Sequence, residues 1–104
     1  KEVIGGTAEG RWTYSTNIGD STLDLDLASA LTFDFTFDAG DTVRDIIIHE
    51  EVRDGYTFSH AECLSGGVAL AGSSITQNPD GAPGVLLAIE PDQAVSCTMF
   101  SNPE

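Results

Sequence analysis

The chain has 104 residues, with 17 acidic side chains against 4 basic ones, a net charge of −13 and 40% apolar residues. That is the length of one domain, residues 1–104, with enough apolar material for a single core. So acidic a body repels phosphate backbones and anionic lipid heads, which excludes nucleic-acid binding and polybasic membrane docking. No stretch reaches the length of a membrane span and no secretory leader is seen, so direct membrane insertion is not expected. A start at Lys1 without Met reads as a processed chain or as a segment of a longer one.

In chain order the apolar residues alternate far more often than they recur at helical spacing. Val3 marks a first strand. Trp12 and Tyr14 share a parity in Gly10–Thr16, as do Leu23, Leu25 and Leu27 in the next run, and then Phe33, Phe35 and Phe37. Each reads as a half-buried strand. Val43–Val52 carries the triplet Ile46, Ile47, Ile48, which suits a central strand covered on both faces. Tyr56–Cys63, Gly67–Ala71, Val85–Glu90 and Ala94–Phe100 follow, with Gly, Asn, Asp and Pro turn signals between them. About seven to nine short strands with such punctuation predict an all-β, immunoglobulin-like sandwich.

In Thr22–Asp38 the leucines and phenylalanines claim one face and push Asp24, Asp26, Asp34 and Asp38 onto the other. A hairpin turning at Ala28–Leu31 would set Asp34 opposite Asp24 or Asp26, and like charges placed so cost stability. Salt would screen them, or Ca²⁺ would sit among them with loop oxygens from Asp20 or Asp41. The Ca²⁺ set is then Asp20, Asp24, Asp26, Asp34 and Asp38, although no Asp-x-Asp-x-Asp-Gly loop supports it. No cofactor is required otherwise. Enzyme motifs are absent: Gly19-Asp20-Ser21 lacks a Gly-x-Ser-x-Gly elbow, and His49-Glu50-Glu51 lacks a second histidine at the spacing of a zinc helix. A non-catalytic protein is expected.

Cys63 and Cys97 are too far apart for a redox motif and have only His49 and His60 as further zinc ligands. A single structural disulfide in an oxidising compartment is the economical reading, worth about 4 kcal/mol on chain-entropy grounds; two reduced thiols are the alternative. Glu50 shares the inward parity of Ile46 and Ile48, and a carboxyl there needs a partner. The only lysine is Lys1, near the first strand, and Asn102 ends the last. A buried neutral Lys, an inward Glu and an Asn on a terminal strand are the ingredients of an autocatalytic isopeptide bond, in which the amine displaces ammonia from the amide. An exposed Lys1 with Glu50 bonded to backbone amides is the plainer alternative.

Lys1-x-Val3, Gly10-Arg11-Trp12-Thr13-Tyr14, Phe33-x-Phe35-x-Phe37-x-Ala39-Gly40-Asp41-Thr42, Ile48-x-Glu50 with Gly55-Tyr56, Glu62-Cys63, and Val95-Ser96-Cys97-Thr98-x-Phe100-x-Asn102 follow one another along the chain. In that order they resemble the SpaA-type, prealbumin-like (transthyretin-like, Cna B-type) domains of bacterial surface proteins and pili. The resemblance implies an extracellular stalk, pilus or filament module without turnover, whose partners are other copies or adjacent domains. It also implies a Cys63–Cys97 disulfide and, in some members, a Lys-to-Asn bond. Glu51-Val52-Arg53-Asp54 lacks the proline usual there. Phe100 and Asn102 each fall one position late after Cys97, so Asn102 faces inward only if a β-bulge restores the parity. A Ca²⁺-dependent adhesin or carbohydrate-binding module, with Trp12 and Tyr14 as exposed platforms, is the competing expectation.

Overall fold

A computed structural model describes residues 1–70 and 74–104. Among these, nine strands form two packed sheets: β1 (Glu2–Val3), β2 (Arg11–Thr16), β3 (Gly19–Asp24), β4 (Arg44–Glu50), β5 (Tyr56–Ser65), β6 (Val68–Ala69), β7 (Ile75–Gln77), β8 (Gly84–Ile89) and β9 (Val95–Pro103). One sheet has the order β1-β9-β5-β6 and the other β3-β2-β4-β8-β7. Every pairing is antiparallel except β1 with β9, which is parallel. The all-β sandwich read from the alternating residues is the fold.

Inward residues recur at every second position. Val3, Ala61, Cys63 and Met99 come from the first sheet, and Trp12, Tyr14, Leu23, Ile46, Val85, Leu87 and Ile89 from the second. These side chains form one core, and β4 lies at the centre of its sheet, as the isoleucine triplet implies. Gly84 lets β8 approach β4 closely, because a Cβ there would strike the carbonyl of Ile48. That approach fixes the end of β4 on which Glu50 stands, whose N–H donates to Pro83 O at 3.0 Å.

Several expectations are corrected. The chain reverses at Asn17-Ile18 rather than at Ala28–Leu31, and β3 pairs back on β2 from Thr16–Gly19 to Arg11–Asp24. A two-residue turn closes that ladder with little entropy loss, and the Asn17 amide fastens it to β4 through Asp45 O and Ile47 N. The Leu23-Leu25-Leu27 run therefore ends at Asp24, and Leu27 is 85% exposed. Phe33-Phe35-Phe37 joins no ladder, so Asp34 does not face Asp24 or Asp26 across a hairpin. The alternation survives in burial alone: Leu31, Phe33, Phe35 and Phe37 are half-buried while Thr32, Asp34, Thr36 and Asp38 are exposed. In place of the strand expected over Gly67–Ala71 there is Val68–Ala69, and Ala71 lies outside the described residues. β7 was not foreseen.

Candidate functional site

The site is assembled where β1, β2, β4 and β9 meet. Inward parity on β4 brings Glu50 to the core after Ile46 and Ile48, with 5% of its surface exposed. Inward parity on β2 brings Tyr14, which lies opposite Glu50 in the ladder. On β9 the inward residue is Ser101, 1% exposed, and β1 brings Lys1 alongside. The Lys1 side chain is wholly excluded from solvent.

These four side chains satisfy one another. Lys1 Nζ donates to Glu50 Oε1 at 2.8 Å and to Ser101 Oγ at 2.7 Å. Ser101 Oγ in turn donates to Glu50 Oε1 at 3.3 Å, and Tyr14 OH donates to Glu50 Oε2 at 2.8 Å. The ammonium also lies 4.2 Å from the centroid of the Trp12 ring, whose quadrupole supplies a further attraction. Trp12 is held in turn: its Nε1 donates to Glu9 O, and the Arg53 guanidinium stands 4.4 Å from the same centroid. Among the described residues no buried side-chain polar atom lacks a partner.

Burial pushes the Lys1 amine below its ordinary value, because desolvation penalises the ammonium; the hydrogen bond and charge of Glu50 oppose that effect. Burial first, and then the adjacent Glu50 charge, push the Tyr14 phenol well above the ordinary tyrosine value. A buried ion pair is costly to desolvate, and leaving either partner alone costs more. The arrangement therefore fixes the relative positions of four strands more than it adds net stability.

Of the isopeptide set, Lys1 and Glu50 come together and Asn102 does not join them. Asn102 is exposed, paired with Thr57 on the outer side of β9. The sheet does contain a bulge, between Phe58 and His60, but it lies on β5, so β9 keeps an unbroken alternation and Ser101 takes the inward place. A serine hydroxyl has no amide nitrogen to expel, so the lock seen here is non-covalent. Sequence reading passed over Ser101; its parity with Met99 was the signal that would have found it.

Cys63 and Cys97 face each other across β5 and β9 and form a disulfide, with Cα atoms 4.1 Å apart. The acidic residues are more dispersed. Asp20 Oδ1 accepts from Thr16 N and Ser15 Oγ at the β2–β3 turn; Asp24 Oδ2 accepts from Arg11 Nε at 3.2 Å. Asp26, Asp34 and Asp38 are on the surface or near it, and among the described residues no three His, Cys, Asp or Glu side chains gather as a metal-holding group. Trp12 and Tyr14 are 2% and 6% exposed, so neither offers a free ring face to a ligand. His49, half-buried on the central strand, donates from Nδ1 to Pro83 O, and His60 stacks on Phe100 at 4.7 Å. Among the described residues no helix is long and apolar enough to cross a membrane. Comparison with protein-family models, curated proteins and solved structures finds no match.

Proposed function

We propose that this domain is a non-catalytic, load-bearing module of an extracellular surface stalk, pilus or filament, joined to other copies or to adjacent domains. The observation that carries this reading is the junction of the first and last strands. β1 and β9 lie side by side and parallel, bound through Lys1 to Glu50 and Ser101, while the disulfide cross-links β9 to β5. Tension applied ahead of β1 and beyond β9 loads their contacts in shear, so that they must break together rather than one by one. A disulfide is at home in an oxidising compartment, which agrees with a place outside the cell. The motifs that resemble SpaA-type domains point the same way, and the buried Trp12 and Tyr14 weaken the carbohydrate-platform alternative.

A surface module must outlast proteases. The Cys63→Ala, Cys97→Ala double variant should be digested by a broad-specificity protease on the order of 10²- to 10³-fold faster than the oxidised protein, given about 4 kcal/mol from the cross-link and cleavage through global opening. Equal and rapid digestion of both proteins would contradict a role that depends on endurance.

A further inference from the structure

The core side chains do not fill the whole space between the sheets. A cavity of about 440 Å³ lies there, with Ile46, Ile48, Leu87 and Ile89 on one side and Val95 and Met99 on the other. That volume falls within the range of about 300–1,000 Å³ usual for small-molecule sites, and its walls have the apolar character of such sites. The hydrogen-bonding groups of Lys1, Tyr14 and Thr16, which border it, are engaged elsewhere. Lys1 Nζ is bound to Glu50 and Ser101, Tyr14 OH donates to Glu50, and Thr16 Oγ1 donates to Gly19 O. Water needs several polar partners to settle in a cavity, so this one favours an apolar occupant.

The outer wall is a strap, residues 29–35 of the connection from β3 to β4. Leu31, Phe33 and Phe35 line the cavity half-buried, while Thr32 and Asp34 are exposed. Among the described residues no backbone–backbone hydrogen bond holds residues 29–37. The strap is fastened toward its two ends instead. Leu27 N and Ala28 N donate to Asp24 O, and Arg44 donates to Thr36 O and stands 5.3 Å from the centroid of the Phe35 ring. A segment with an apolar inner side, anchored ends and no ladder can lift without breaking either sheet, so it gives a route of entry as well as a wall.

We infer that this cavity binds an uncharged, apolar small molecule, admitted beneath the strap. Apolarity follows from the walls. Neutrality follows from the charges: among the described residues Lys1 is the one charged side chain that borders the cavity, and it is already paired with Glu50. An anionic head group would meet no available cation there, inside a protein of charge −13, which sets fatty acids and sulfonates apart from neutral ligands. A cation would give up its water with no carboxylate in the walls to receive it. The site stands independently of the load-bearing role.

The test is a fluorescence titration of the oxidised protein with two dyes. N-phenyl-1-naphthylamine is uncharged; 8-anilino-1-naphthalenesulfonate has the same rings and one negative charge. The neutral dye should brighten along a saturable, one-to-one curve, and the sulfonate should bind at least about tenfold more weakly. In methyl NMR the Met99 and Leu87 signals should shift along the same curve, while those of the exposed Leu27 and Val52 stay in place. Val95→Trp, which fills the cavity from β9, should lose the neutral dye while keeping its far-ultraviolet spectrum; the methyl shifts of the natural protein decide the matter if that variant does not fold. Three results would overturn the inference. One is no saturable binding of the neutral dye, which would mean that Phe33 and Phe35 of the strap take the space themselves. A second is equal binding of both dyes, and the third is shifts confined to Leu27 and Val52, which would place the dye on the surface.

Discussion

The Lys1 side chain is fully withdrawn from water, so its ammonium must find every partner within the sandwich, and Glu50, Ser101 and the Trp12 ring supply them. A single substitution separates this lock from a covalent one. With Ser101→Asn, an amide carbon would stand where a hydroxyl now accepts from Nζ, beside an amine whose charge burial already disfavours. Attack by the neutral amine would form the Lys–Asn amide and release ammonia. That variant should have an intact mass lighter by one ammonia, and its Glu50→Gln derivative should not; full mass in Ser101→Asn would show that the pocket lacks the geometry the lock implies. Tyr14 makes a different prediction. Its folded-state pKa is raised, so above the ordinary value of 10.0 the unfolded chain loses a proton that the folded one keeps, and stability falls as pH rises. The slope approaches about 1.4 kcal/mol per pH unit. Lys1, lowered by burial, works in the opposite sense below its ordinary 10.5 but is present in both proteins compared. The stability advantage of the natural protein over Tyr14→Phe, read from urea midpoints, should therefore shrink steadily above pH 10; a constant difference would mean that the phenol is not held neutral.

At the level of elements, the closing of the sandwich depends on side chains that substitute for a strand. Gln77 satisfies both backbone groups of Ala61, a residue 3% exposed, with a single carboxamide. Gln77→Ala should cost about 1–3 kcal/mol, since the orphaned groups lie near the core, and should speed exchange at the Ala61 amide. A variant as stable as the natural protein would show that water replaces the clamp at no cost. Nothing in the sequence announced this contact, because Ile75–Gln77 is only three residues long and sits among serine, threonine and asparagine. The central strands were legible for the opposite reason: Ile46–Ile48 and Val85–Ile89 are apolar enough to admit no other placement. Phe33–Phe37 shows where alternation misleads. It reports which side of an extended chain meets the core, and here it does so correctly, but it says nothing about whether a neighbouring backbone offers a ladder. Likewise the pairing of Lys1 with Glu50 follows from parity, whereas the exclusion of Asn102 turned on which strand carried the bulge, a matter of register that no local pattern encodes.

For the molecule as a whole, two cross-strand devices act on the same strand. The Lys1 lock ties β9 to β1 and β4, and the disulfide ties it to β5, so that β9 is held on both flanks. Force arriving through the terminal strands must shear the β1–β9 contact before the core opens, and once it opens the residues between Cys63 and Cys97 stay closed off. The cross-link spans 34 positions, so the oxidised domain should extend by roughly 115 Å less than the reduced one when it unfolds. The most direct test of a load-bearing role is single-molecule force spectroscopy on the oxidised domain held within a chain of reference domains. A single abrupt unfolding event, at a force reduced by Lys1→Met and with the shortened extension restored to full length by the Cys63→Ala, Cys97→Ala variant, is the result expected. Gradual yielding at low force, unaffected by Lys1→Met, would contradict the claim that this sandwich is built to carry tension.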